Sequence, residues 1–353
     1  MRISKKVLLN SLEKLVGIVK PKQILPILSN CLLDSSKGVY LTDLSVSAIA
    51  TFEEEVEDSG FKCLLPFSKL HSIVKYLPEG DIQFSFQGSN SIRMVCGSSS
   101  FEFATVRIEE YPSFPDVRDD GVLLPISLSQ LEVALSKLSC FVVRKSYNGL
   151  DGILFCIKDG NLSIVASDGH RLGEVKIQAS GVQDCRFLLA LKDVRFITKL
   201  FNGNDIICLR VAGNVVDIHL GDRLQLRCMA FDFPEHSSLF PGSSGGSMVF
   251  DKAELLQAVS VIKPLCSELF NSIRMVIKGN ECHLMAEDGS SCSGSTRIPC
   301  MCQQDIAFSF NVTYLQDILR CLSSDDATFS FTTERDIVLL EDADDSYLIM
   351  PLS

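Results

Sequence analysis

One phrase occurs three times along the 353 residues, and it limits what the chain can fold into more than any other feature. Ile3-Ser4 precedes Leu8, Leu12 and Leu15; Ile126-Ser127 precedes Leu131, Leu135 and Leu138; Phe250-Asp251 precedes Leu255, Val259 and Ile262. The starts lie 123 and 124 residues apart, so the repeated unit is a whole domain. A second phrase repeats later in each copy. Leu64-Leu65-Pro66-Phe67 with Ile73 and Leu77 answers Leu188-Leu189-Ala190-Leu191 with Ile197 and Phe201, and then Phe310-Asn311 with Leu315, Ile318 and Leu322.

Each copy reads as strand, helix, several strands, helix, several strands. The helices carry apolar stripes of period 3.6, with caps at Ser4, Ser127, Asp251 and Asn311 and capping-box partners at Gln130 and Glu254. The strands alternate, as in Glu102-Phe103-Ala104-Thr105-Val106. Pro- and Gly-rich joints, Tyr111 to Pro115 and Phe233 to Gly246, separate the copies. The expected fold is therefore α+β: three tandem domains at 1–118, 119–242 and 243–353, each with two helices against largely antiparallel sheets. With 46% hydrophobic residues the chain can fill three cores.

Several classes of function are disfavoured. Fourteen cysteines include no Cys-x-x-Cys, and Cys300-x-Cys302 has no second pair at zinc spacing. Cys96, Cys140, Cys156, Cys208, Cys228 and Cys321 sit in apolar or alternating segments, which predicts buried free thiols, no metal, and a reducing cytoplasm. Residues 1–20 are broken by Lys5, Lys6, Glu13 and Lys14, so no signal peptide is expected, and no apolar run is long enough to span a membrane. An enzyme would have to use Asp168 with His170, or a cysteine with one of His71, His170, His219, His236 and His283. No Gly-x-Ser-x-Gly, His-Glu-x-x-His or Gly-x-x-x-x-Gly-Lys pattern supports one. Gly242 to Gly246 lacks the following Lys and reads as a linker. No catalytic residue and no cofactor are expected.

Charge is distributed unevenly. The whole chain has 33 basic and 44 acidic residues, a net charge of -11, which alone argues against nucleic acid. The six predicted helices reverse this, with 12 basic residues to 5 acidic ones. Helices gathered on one surface would give a positive face that attracts phosphates without reading bases. No zinc finger, helix-turn-helix or aromatic-basic ladder points to sequence-specific contact.

Six further phrases occur in order: Leu25-Pro26-Ile27-Leu28, Leu150 to Phe155, Ala166 to Leu172, Phe233-Pro234, Phe310 to Leu315, and Tyr347 to Pro351. With the threefold repeat, the chain resembles the bacterial β sliding clamp family, the processivity subunit (beta subunit) of the replicative DNA polymerase III. The resemblance implies a head-to-tail homodimer, a ring of six domains around double-stranded DNA with helices lining the hole. It implies as partners the catalytic subunit of the replicative polymerase, the clamp loader, and other polymerases and repair proteins that bring short linear peptides.

Carried over by motif, the peptide pocket comprises Leu150, Ser167, Gly169, His170, Arg171, Leu172, Pro234, Leu239, Tyr314, Leu348, Met350 and Pro351. Its apolar groups would form the floor, and the backbone with His170 or Arg171 would orient the peptide. Asp168-Gly169 reads equally as a tight turn, because Asp288-Gly289 recurs in the third copy. His170 and Arg171 have no such counterpart, which makes them the better site candidates. Implied DNA contacts are Lys22, Lys75, Arg144, Lys145, Lys192, Arg195 and Lys199, and the implied dimer interface includes Phe101, Phe103 and Leu265. Two places depart from the family pattern: the chain closes on Leu352-Ser353, and Ser237 and Ser238 stand where basic residues are common. The alternative is a protein-interaction scaffold that does not encircle DNA, which would leave the basic helices unexplained.

Overall fold

A computed structural model of the chain describes residues 1–20, 23, 25–54, 56, 60–88, 91–114, 121–143, 149–203, 205–241, 245–267, 271–289 and 292–352. Its six helices are α1 (Lys5–Leu15), α2 (Phe67–Tyr76), α3 (Leu128–Leu138), α4 (Leu191–Leu200), α5 (Lys252–Ile262) and α6 (Val312–Cys321). The strand-helix-strands-helix-strands order holds in all three copies. Three of the expected caps form: Ser4 accepts from the Val7 N–H, Asp251 from Glu254, and Asn311 from Thr313 and Tyr314. The Ser127 hydroxyl instead meets that of Ser129 at 2.9 Å.

The opening phrase folds alike each time. Its strand pairs antiparallel with a distant strand of its own copy, in registers Ser4↔Asp81, Ser127↔Ile206 and Asp251↔Asp326. The first N–H of the following helix then donates to the adjoining turn: Lys5 to Gly80 O, Leu128 to Asp205 O, Lys252 to Asp325 O. One backbone solution has been copied with the sequence.

Every copy contributes two four-stranded antiparallel layers, and two seams join layers of different copies. Val46–Ala50 of the first copy pairs with Asp222–Arg227 of the second (Ile49↔Arg223, Val46↔Leu226), making an eight-stranded sheet. Arg171–Gln178 of the second pairs with Asp345–Ile349 of the third (Arg171↔Ile349, Glu174↔Ser346), making a sheet of nine with the short Met301–Cys302. Among the described residues the other two layers stay four-stranded, with Ser99–Ala104 and Ser293–Pro299 each at one edge.

Because of these seams the chain divides into two compact units, Met1–Glu132 with Leu189–Met229 and Val133–Leu188 with Ala230–Ser353. They cut through the second copy. The joints expected at 118/119 and 242/243 lie outside the described residues. In the first unit Leu8, Leu12 and Leu15 are fully buried on α1, with Leu70 and Val74 on α2 and Val194 and Ile197 on α4. In the second, Phe308 stacks on Phe310 at 5.5 Å and meets Phe331 edge-on at 5.2 Å, below α6.

All fourteen cysteines are free thiols. Cys96 and Cys321 are buried as expected, and Cys140, Cys156 and Cys228 are half-buried. Cys208 is exposed; the two-residue alternation of Ile206–Ala212 turns it outward together with Ile206. No helix among the described residues is long and apolar enough to cross a membrane.

Candidate functional site

Two surfaces gather the residues singled out above, one in each unit. In the first unit α1, α2 and α4 each carry two more basic than acidic residues. Their apolar stripes are buried, so Lys6, Lys69, Lys75, Lys192, Arg195 and Lys199 are left exposed. The Lys199 ammonium donates to Val16 O at the end of α1, which ties α4 to α1. His71 lies half-buried on α2, stacked on Phe67. Burial lowers its imidazole pKa, Glu13 opposes that shift, and Lys75 and Lys199 add to it. The cations of α2 and α4 thus share one field.

The other helix lysines are spent inside the fold. Lys5 is buried against Glu79 at 3.0 Å, and Lys14 bridges Asp222 at 2.9 Å and Glu53 at 3.6 Å. Lys137 on α3 meets Asp345 at 2.7 Å and Asp342 at 3.6 Å. Lys252 donates to Leu322 O, and Lys263 to the Gln316 side chain. Helices α3, α5 and α6 are each neutral. The expectation of six helices giving one positive face is therefore corrected: the exposed excess belongs to α1, α2 and α4, because counting charge by element ignores which side chains have partners. Lys22, Arg144 and Lys145 lie outside the described residues.

In the second unit the three-residue turn Asp168–His170, between Asn161–Ser167 and Arg171–Gln178, organises the surface. Asp168 Oδ1 accepts from the N–H groups of His170 and Arg171, both at 3.0 Å. Ser167 Oγ donates to Arg171 O at 2.8 Å and accepts from the Gly169 N–H. Gly169 sits at φ +88°, the region glycine tolerates. The tight-turn reading of Asp168-Gly169 holds. Asp288 with Gly289, at φ +83°, repeats it: the Asp288 carboxylate accepts from the Cys292 N–H.

Arg171 joins that turn to α6. Its Nε donates to Asp168 Oδ2 at 3.0 Å, its Nη1 to Asp317 Oδ2 at 2.9 Å and its Nη2 to Cys140 O at 2.6 Å. The guanidinium lies over the Tyr314 ring at 4.2 Å and the Phe141 ring at 5.1 Å. Arg171 is 7% exposed, so it braces the site from within, and the expectation that it could orient a peptide directly is corrected. Burial disfavours its charge, but Asp317 and Asp168 outweigh that and strengthen its hold on the proton.

Around the brace most of the expected pocket residues meet. Leu150 lies against Gly169, with its carbonyl bonded to the Val143 N–H. Leu172 and Leu348 are directly opposed across the seam, 3% and 2% exposed, and form a floor. The His170 ring faces Tyr314 at 6.1 Å, and Met350 donates its N–H to His170 O. Met350 is 48% exposed and Pro351 half-buried, while Leu352 N bonds to Ser309 O. Pro234 and Leu239 are exposed on the segment after Phe233, whose carbonyl is fixed by Arg186 Nη2.

Sequence reasoning missed four residues here. Asp317, Cys140 and Phe141 hold Arg171; only the spacing of Asp317 three residues after Tyr314 on α6 hinted at it. Phe231 is half-exposed, and its Cβ would lie 3.5 Å from a Cβ built on Gly149, beside Leu150. At the free sheet edges Phe101 is half-buried, and Leu265 packs where a Cβ on Gly294 would fall. Phe103 is only 6% exposed because it faces its own core, so its placement as a direct dimer contact is corrected.

Comparison with known proteins matches this architecture. Residues 1–115 fit the family model of the DNA polymerase III beta subunit, N-terminal domain, and residues 237–353 fit that of its C-terminal domain. The beta sliding clamp of Vibrio cholerae is 24% identical over 98% of this chain and 97% of its own length. That of Streptomyces coelicolor is 25% identical over 93% and 92%. A crystal structure of the Pseudomonas aeruginosa DNA polymerase sliding clamp shares the fold, with a TM-score of 0.91 at 22% identity over 100% of this chain and 99% of that one. With the repeat, both ends of the chain and the fold in agreement, the chain belongs to the DNA polymerase III beta subunit family.

Proposed function

We propose that this chain is a DNA sliding clamp: it closes as a head-to-tail homodimer around duplex DNA without base specificity and tethers the replicative polymerase and other DNA-processing proteins. The pattern of sheet edges carries this reading. Each copy offers two edge strands, and both seams within the chain join the third strand after one copy's first helix to the last strand of the next copy. The third copy's Ser293–Pro299 and the first copy's Ser99–Ala104 are the same two strands without a mate. Joining them between two chains repeats the seam and mates both of these strands. Phe101 and Leu265 stand at those strands.

A ring holds DNA by topology, so it needs exposed, mobile cations and no base reader. Lys75, Lys192, Arg195 and Lys199 supply the cations, and Lys22, Arg144 and Lys145 belong to the same proposal. Division into three clamp domains follows from the repeat. The turn, α6 and the closing segment form the partner pocket, with Leu172 and Leu348 as floor and Leu150, Gly169, His170, Tyr314, Met350 and Pro351 accessible above it. Polymerase, clamp-loader and repair peptides would compete there. The chain supplies no catalytic group in this scheme, and a separate loader opens the ring.

The test is retention after loading onto a nicked plasmid. The protein is expected to stay on the circle and to leave when the plasmid is linearised. Equal retention on both forms would refute encirclement and favour the scaffold reading.

A further inference from the structure

The brace behind the partner pocket contains two thiols that the clamp function does not use. Cys140 follows α3 and Cys321 ends α6. Both sulfurs point at one acceptor, Lys137 O, at 3.4 Å from Cys140 Sγ and 3.2 Å from Cys321 Sγ. The two sulfurs therefore flank the same carbonyl oxygen. Cys140 is half-buried and open to small molecules, whereas Cys321 is 8% exposed. The carbonyl of Cys140 holds Arg171, and α6 carries Tyr314 and Asp317, its other holders.

We propose that Cys140 and Cys321 are a reversible disulfide site, oxidised by hydrogen peroxide, whose bond staples α6 to the segment after α3 and alters the partner pocket. Cys140 is the attacking sulfur. The neighbouring Cys321 thiol lowers its thiol pKa against the effect of burial, and the Arg171 guanidinium helps. Cys321 is raised, first by the neighbouring Cys140 thiol and then by burial, so it resolves the reaction. The Cys140 thiolate attacks one peroxide oxygen; the O–O bond breaks, hydroxide leaves and takes up a proton as water, and Cys140 becomes a sulfenic acid. The Cys321 sulfur then attacks the Cys140 sulfur, and its proton departs with the displaced hydroxyl as a second water. Two thiols lose two hydrogens, and one peroxide is reduced to two waters.

Cys31 and Cys63 give an internal comparison. They lie on the paired strands Asn30–Asp34 and Lys62–Pro66, but both are buried, and burial pushes the Cys31 thiol up to about 12. They should stay reduced under conditions that oxidise the first pair.

The experiment uses the full chain with the exposed Cys208 and Cys292 changed to Ser, treated with hydrogen peroxide, digested without reductant and analysed by mass spectrometry. A Cys140–Cys321 cross-linked peptide is expected within single molecules, removed by dithiothreitol and absent in Cys140→Ser. Oxidation of Cys140 to a sulfinic acid with Cys321 still free would overturn the bond. In parallel, binding of a fluorescent peptide from the tail of the replicative polymerase should shift severalfold on oxidation, and not in Cys140→Ser. Unchanged affinity of the cross-linked protein would overturn the link to the pocket. The assignment of the bond stands apart from the partner-site reading, whereas its effect on affinity rests on it. Failure of the reduced protein to bind any such peptide would count against that reading while the mass spectra still decide the bond.

Discussion

Lys75 and Arg195 of the first unit and Arg171 and Lys137 of the second are put to opposite uses. Lys75 and Arg195 project from α2 and α4 into solvent, whereas Arg171 and Lys137 are enclosed by carboxylates and carbonyls. A surface that must let DNA slide gains from long, exposed side chains, since contacts that form and break with phosphates give no register. A pocket that must present a fixed shape gains from a buried guanidinium that holds turn and helix together. Equal residue types therefore predict different consequences when removed.

The widest separation is expected in stability. Arg171→Ala leaves Asp168 and Asp317 unpaired around a cavity and should cost about 3–5 kcal/mol, read as a lowered urea midpoint. Lys75→Ala should stay within about 0.5 kcal/mol. A destabilisation below about 1 kcal/mol for Arg171→Ala would break the comparison, because the brace would then be incidental.

DNA binding should sort the variants the other way. Changing Lys75, Arg195 and Lys199 together to Ala should weaken binding to a short duplex about tenfold or more and flatten the salt slope by about 0.9 for each phosphate no longer neutralised. Lys137→Ala should leave both unchanged while lowering stability. A smaller effect is expected in the pocket. Met350→Asp should weaken peptide binding about tenfold, or ~1.4 kcal/mol, with an unaltered melting temperature because the side chain is half-exposed. Leu172→Asp makes a poor probe, since a charge placed on a residue 3% exposed unfolds the floor.

The smallest effect lies in pH. Burial alone would raise the Asp342 carboxyl, but hydrogen bonds from Ser323 and Ser324 and the charge of Lys137 hold it below the ordinary value. A group lowered on folding stabilises above its unfolded pKa, about 4, and loses that contribution as pH falls through the folded value. Stability should therefore decline on acidification below about pH 4, and less steeply in Asp342→Asn. Identical acid profiles would remove Asp342 from the account.

The fold was readable because it is repeated. Ser4, Asp251 and Asn311 cap their helices as their positions imply, and the copies agree on element order. The turn at the candidate site was readable because its residues are adjacent, Ser167 to Leu172. What holds Arg171 was not, because Cys140 and Asp317 lie 31 residues before it and 146 after it, and the spacing of Asp317 from Tyr314 on α6 does not say which residue they meet. Charge was readable only as a total. Lys5, Lys14 and Lys137 look like solvent residues until Glu79, Asp222 and Asp345 are folded beside them. Phe103 misled because alternation says that a residue faces one side, not which side is the core.

The matched edges have a consequence for how such a chain can change in evolution. A copy accepts a neighbour on one strand and offers another strand to the next, so the copy is the building block and the peptide joint only a tether. In the proposed ring, adding or losing a whole copy would preserve the pattern of seams and alter only how many chains complete a circle, whereas losing part of a copy would leave a seam without its mate. Inheritance in whole copies, near 123 or 124 residues at a time, is the increment this geometry permits.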